Sequence, residues 1–175
     1  MTANILTSLR IVLTPFIIGM LLHGRISWAF WLFFIAGLTD FFDGMIARAF
    51  KQETSLGKIL DPIADKVLII GVLATLYGLG WIPLWLIAVI LLRDLMIFAG
   101  FLYTRLKDVD LEPRPLMLSK INTFWQVVTV VLLILQRLYG FDSFYSKIAC
   151  WILVCTTVLS GFQYAMVMKR ELSKR

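Results

Sequence analysis

Residues 39–66 read TDFFDGMIARAFKQETSLGKILDPIADK, and Asp40, Asp43, Asp61 and Asp65 all fall between two strongly apolar segments. Asp40, Asp43, Gly44, Ala47 and Arg48 are spaced i, i+3, i+4, i+7 and i+8, which places them on one face of a helix. Gly57, Asp61 and Asp65 repeat every four residues, again one helical face. The link between them, residues 50–56, is short and polar, so the spacing predicts two antiparallel neighbouring helices whose acidic faces meet.

Outward from this stretch the chain is mostly apolar. Of its 175 residues 60% are hydrophobic, and the mean hydropathy is +0.87. A soluble domain of this length needs far more polar surface. The apolar residues fall in six blocks, 9–22, 26–49, 57–79, 82–104, 118–138 and 144–168. They predict an all-α integral membrane protein of six transmembrane helices, with a short N-terminal interfacial segment before the first. Six spans with short loops leave room for one domain, residues 1–175. The first block carries Pro15 and follows a single arginine, as a signal peptide does, but no small-x-small cleavage pattern follows and it reads as a retained span. Cys150 and Cys155 lie five apart inside the sixth block and read as small packing residues. His23 reads as a loop residue beside Gly24 and Arg25.

The loops divide by charge. Arg10, Lys51, Arg105, Lys107, Arg114, Lys120, Lys169, Arg170, Lys174 and Arg175 fall on one side of the expected topology, and only Arg25, Arg137 and Lys147 on the other. The excess of basic residues places both termini in the cytoplasm. The net charge of +6 suits anionic membrane lipids and requires no nucleic acid. Trp28, Trp31, Trp81, Trp85 and Tyr145 lie near the opposite span ends, where an aromatic belt forms. The link RLKDVDLEPRPLMLSK, 105–120, reads as a cytoplasmic loop restricted by Pro113 and Pro115.

Four carboxylates in one site repel one another and raise each other's pKa values. Two divalent cations remove that repulsion, and oxygen-only ligands favour Mg²⁺ or Mn²⁺. A carboxylate-held metal pair also suits chemistry at phosphorus. Gly44 and Ala47 leave room for a ligand against the backbone, and Arg48 offers a donor fork for phosphate. Other readings stand beside this one. Gly44 and Gly57 also fit helix packing, and Asp61 before Pro62 also fits a helix cap. Intramembrane carboxylates also occur in ion transporters, although clustering at one membrane face does not make a through-path.

The pattern D40-x-x-D43-G44-x-x-A47-R48, eight residues, G57-x-x-x-D61-x-x-x-D65 resembles the signature of the CDP-alcohol phosphatidyltransferase family at every fixed position. The six-span layout and the opening NILTSLR extend the likeness across the chain. The resemblance implies a metal-dependent transfer of a phosphatidyl group from CDP-diacylglycerol to an acceptor alcohol, with release of CMP. It implies that Asp40, Asp43, Asp61 and Asp65 hold two divalent cations, Mg²⁺ or Mn²⁺, and that Asp65 is the general base. It implies contacts to the CDP-lipid from Asn4, Thr7, Asp40, Gly44, Arg48 and Thr54. For Asn4 and Thr7 an interfacial helix with an N-terminal cap is the other reading. A homodimer, and an active site facing the cytoplasm (at the cytoplasmic membrane in a bacterium), are also implied.

The acceptor is carried by other residues. Arg93 and Asp94 sit mid-span in LLRDLMIF, as a structural charge pair or as a holder of acceptor phosphate. Lys120 and Arg114 could assist. Family members that make phosphatidylglycerophosphate from glycerol 3-phosphate usually carry Arg-Glu in the fourth span and Gly-Lys-x-Lys-Thr at the fifth. Arg93-Asp94 and Ser119-Lys120-Ile121-Asn122-Thr123 look more like the cardiolipin synthases of this family, whose acceptor is phosphatidylglycerol.

Overall fold

A computed structural model describes the backbone of residues 2–50, 57–106 and 117–172, and the side chains of residues 9–39, 64–100, 102 and 117–169. Over the described residues the chain is all helical, with six helices and no strand: α1 (Thr2–Leu22), α2 (Ile26–Phe50), α3 (Gly57–Gly78), α4 (Leu84–Leu106), α5 (Met117–Tyr139) and α6 (Ser143–Leu172). The helices coincide with the six apolar blocks to within a few residues. At the N-terminus the difference is larger, because residues 2–8 continue α1 without a break.

Pro15 lies inside α1 and removes one backbone donor there. In the same turn the Thr14 hydroxyl donates to the Arg10 carbonyl at 2.8 Å, a side-chain bond back along the helix. Three helix ends are set by glycines in the left-handed region, Gly24 (φ 70°), Gly80 (φ 71°) and Gly140 (φ 68°). Such a conformation costs glycine little and other residues more. After α1 the Gly24 and Arg25 amides bond back to Leu21 and Met20 at 3.1 and 2.9 Å, and after α3 the Gly80 and Trp81 amides bond back to Tyr77 and Leu76 at 2.8 and 2.9 Å. His23 is more than a loop residue, since its Nδ1 lies 2.8 Å from the Gly19 carbonyl at the end of α1.

The chain forms two compact units, Met1–Ile82 with Leu133–Phe141, and Pro83–Leu132 with Asp142–Arg175. In the first, α1 packs against both α2 and α3. Its buried residues recur at helical spacing: Arg10, Thr14, Ile17 and Leu21 on α1, Ala29, Phe33 and Ala36 on α2, and Ala64, Leu68, Val72 and Leu76 among those on α3. Gly71 sets the approach of α1 to α3, because a Cβ there would stand 3.1 Å from Ile18 Cδ1 and 3.6 Å from Thr14 Cγ2. Arg137 lies over the Trp81 ring, 5.1 Å from its centroid.

In the second unit α4 packs against α6. Gly100 is a close-contact point, where a Cβ would meet Met168 Sδ at 2.9 Å and Tyr164 Cε1 at 3.1 Å. Trp85 and Trp151 pair with centroids 6.0 Å apart. Cys150 and Cys155 are free, the second exposed.

Large apolar side chains face outward on many helices, including Leu92, Leu95 and Phe98 on α4 and Trp151 and Phe162 on α6. Trp28, Trp31, Trp85 and Tyr145 are exposed as well. Water does not stabilise so much contiguous apolar surface, whereas lipid does. Among the described residues, Met117–Tyr139 and Ser143–Lys169 are long and apolar enough to cross a membrane, and Leu9–Leu22 and Ile26–Thr39 are shorter apolar stretches.

Leucine at position 71 should force α1 from α3 and destabilise the protein by about 1–3 kcal/mol, as overpacking does. Leucine at position 19, where no neighbour stands within 4 Å of a Cβ, should leave the melting temperature in detergent nearly unchanged. Equal melting temperatures for the two variants would refute the close approach at Gly71.

Candidate active site

Asp40 and Asp43 belong to α2, and Asp61 and Asp65 to α3. By spacing, Asp40 and Asp43 continue the register of the buried residues Ala29, Phe33 and Ala36 on α2. Both helices pack on α1, so one helix braces the two that carry the aspartates. The side chains of Asn4, Thr7, Asp40, Asp43, Arg48 and Asp61, and the surroundings of Gly44, lie outside the described residues. So do Thr54, the 51–56 link and Arg114 entirely.

Asp65 is described, and its partner is a residue that sequence reasoning assigned only to the cytoplasmic charge excess. Arg10 Nη1 on α1 donates to Asp65 Oδ1 on α3. The arginine side chain is 4% exposed and the aspartate side chain 40% exposed. The guanidinium is therefore held inside the unit while the carboxylate keeps an open side. A buried guanidinium requires a counter-charge, and Asp65 supplies it. The signal for Arg10 was in its spacing: with Thr14, Ile17 and Leu21 it forms an i, i+4, i+7, i+11 stripe on the core side of α1.

Carboxylate oxygens on α2 and α3 are the donor type that hard divalent cations prefer. The partial exposure of the Asp65 side chain fits that use. Among the described residues no group of three acidic, histidine or cysteine side chains is gathered as a metal site; three of the four signature side chains lie outside that set.

The expected acceptor residues lie in the second unit. Arg93 is 6% exposed; its Nη1 donates to Asp94 at 2.8 Å, and its Nη2 donates to Ser119 at 2.7 Å and Ser160 at 2.5 Å. It thus ties α4 to α5 and α6. Beyond Ser119 a polar seam continues: Asn122 Oδ1 accepts from Thr156 and Thr157 at 3.0 and 2.8 Å, and the Thr129 hydroxyl bonds the Ala149 carbonyl at 3.3 Å. Asn122, Gln126, Thr129, Thr157 and Ser160 are all buried. Polar side chains that bond across helices hold such packing together in lipid. Lys120 is exposed and stands apart from this network.

Residues 1–159 match the family model described as CDP-alcohol phosphatidyltransferase. The chain belongs to that family. Its curated relatives include "Cardiolipin synthase (CMP-forming)" of Rattus norvegicus, 33% identical over 92% of this chain and 59% of the relative, and the protein of the same name from Homo sapiens, 32% identical over 92% and 59%. They also include "CDP-diacylglycerol--glycerol-3-phosphate 3-phosphatidyltransferase" of Bacillus subtilis, 36% identical over 76% of this chain and 69% of the relative. The chain spans less than two thirds of the length of the cardiolipin synthases it matches.

Replacing Arg93 by methionine keeps volume but leaves Asp94, Ser119 and Ser160 without their shared donor. Breaking a buried pair from one side costs roughly 3–5 kcal/mol. Arg93→Met should lower the melting temperature in detergent clearly, whereas Lys120→Met should leave it within a degree or two. A thermally silent Arg93→Met would show that the network contributes nothing to the second unit.

Proposed function

We propose that this chain transfers a phosphatidyl group from CDP-diacylglycerol to an acceptor alcohol and releases CMP. The carrying observation is the Asp65 carboxylate, part-exposed on α3 and anchored by a buried guanidinium within the full family signature. Divalent-cation dependence is general in the family. We assign Asp40, Asp43, Asp61 and Asp65 to hold two divalent cations, Mg²⁺ or Mn²⁺. When bound, these cations would supply charge for the diphosphate and the departing CMP. Asn4, Thr7, Asp40, Gly44, Arg48 and Thr54 would hold the CDP-lipid, with Gly44 allowing close approach and Arg48 facing phosphate oxygens.

Asp65 would take the proton of the acceptor hydroxyl. The hydroxyl oxygen bonds to the lipid-side phosphorus, the bond from that phosphorus to CMP breaks, and its electron pair leaves with CMP. Arg10, bonded to Asp65 Oδ1, would keep the carboxylate fixed during this exchange.

As acceptor we propose phosphatidylglycerol, which makes cardiolipin. Arg93 bears on this choice. Its charge is offset by Asp94, and its terminal nitrogens are engaged by protein groups, so it offers little surplus positive charge to a phosphate monoester dianion. Glycerol 3-phosphate is the second reading, favoured by the B. subtilis relative, and would draw on Arg93, Arg114 and Lys120.

The same reading places the six helices across a membrane as one domain, residues 1–175, with both termini and the aspartates on the cytoplasmic side. The apolar outer faces and the basic loop residues support it. A homodimer is proposed from family likeness alone.

Purified protein with Mn²⁺ and CDP-diacylglycerol, offered each acceptor separately, should release CMP and form cardiolipin with phosphatidylglycerol. Product from glycerol 3-phosphate alone would replace the acceptor; no CMP with any acceptor would overturn the activity and return the acidic cluster to ion transport.

A further inference from the structure

The Arg10–Asp65 pair does more than close the α1–α3 interface. We infer that Arg10 is a positioning residue for the cation site: it orients the Asp65 carboxylate and raises the affinity of the acidic cluster for a divalent cation.

Three observations carry this. Arg10 is almost wholly buried while the Asp65 side chain is 40% exposed, so the guanidinium approaches the carboxylate from the protein side and the carboxylate reaches the surface of the unit. The Arg10 side chain is itself confined, because it is buried at the interface where α1 packs on α3 near Gly71. The contact is made through Nη1 of a planar donor fork, which holds a carboxylate in direction as well as in charge.

The physical effect follows. An aspartate on a helix surface samples several rotamers, and a cation that binds it must select one. A carboxylate already tied at one oxygen to a buried cation has lost that freedom before metal arrives. Hydrogen-bonded carboxylates of this kind bind metal better, and loss of the outer partner typically costs about 10- to 100-fold in affinity. Arg10 also places a positive charge beside Asp65, which offsets the negative charge of that carboxylate while the site holds no metal. The opposite effect, competition between guanidinium and metal for the same oxygen, predicts the opposite sign and is separable by measurement.

The inference rests on the proposal that the four aspartates hold divalent cations, and the experiment separates the two. Mn²⁺ binding is measured by electron paramagnetic resonance on the intact chain in detergent, with no lipid substrate, for wild type, Arg10→Gln and Arg10→Lys. Thermal unfolding with and without Mn²⁺ is recorded alongside. Wild type should bind Mn²⁺ and gain thermal stability from it. Arg10→Gln should bind about tenfold more weakly or worse, with a smaller thermal gain. Arg10→Lys keeps the charge, loses the fork and should fall between the two. A purely structural Arg10 would lower the melting temperature of Arg10→Gln without changing its Mn²⁺ affinity, and that result overturns the inference while the cation site stands. Tighter binding by Arg10→Gln overturns it in favour of competition. If Arg10→Gln does not fold, Arg10→Lys decides, and wild-type affinity there overturns the inference. No Mn²⁺ binding by wild type removes the cation site and the inference with it.

Discussion

Arg10 is withdrawn from solvent on α1 and meets its counter-charge on α3, at Asp65. A buried guanidinium that loses its carboxylate costs roughly 3–5 kcal/mol, a large share of the stability of a typical protein. The pair therefore fixes the register between two helices as well as their proximity. Thr14, Ile17 and Leu21 follow Arg10 along the same stripe, and Gly71 lets the backbones close over it. The signature aspartates of α2 and α3 then stand on helices that share a single brace. Chemistry at phosphorus depends on carboxylates held still relative to one another, and a braced pair of helices supplies that rigidity.

The second unit uses the same device with a different outcome. Arg93 is as buried as Arg10, but its partners are an aspartate one residue away and two hydroxyls on other helices. Arg10 holds a carboxylate that is part-exposed, whereas Arg93 is absorbed into a packing network that continues through Asn122 and Thr157. The charge invested at Arg93 goes first into joining α4, α5 and α6. This is the physical ground for preferring an acceptor with little need of extra positive charge.

Much of this was legible in the chain. Apolar blocks marked the six helices of the described residues, because a helix that turns apolar side chains outward keeps long apolar runs. Gly24, Gly80 and Gly140 close three of the ends, and sequence reasoning did not use them, because a left-handed φ shows only in the structure. The i, i+3 and i+4 spacing assigned the aspartates to two helices, and Asp40 and Asp43 lie in α2 and Asp61 and Asp65 in α3. Arg10 was missed, because its charge was counted with the loops, although its spacing matched the core stripe of α1. The uninterrupted run of α1 back to Thr2 was also missed, since Pro15 and a polar opening resemble a break. Ser119, Asn122 and Ser160 were equally silent: small polar residues within apolar runs reveal their role only when a neighbour on another helix is known.

The central claim is that Asp65 is the reacting carboxylate held by this brace. The most direct measurement is the rate of CMP release from CDP-diacylglycerol and phosphatidylglycerol by Asp65→Asn, with wild type compared at equal folded fraction. An amide cannot accept the proton of the attacking hydroxyl, so the rate should fall by about 10²-fold or more. Turnover near that of wild type would contradict the account.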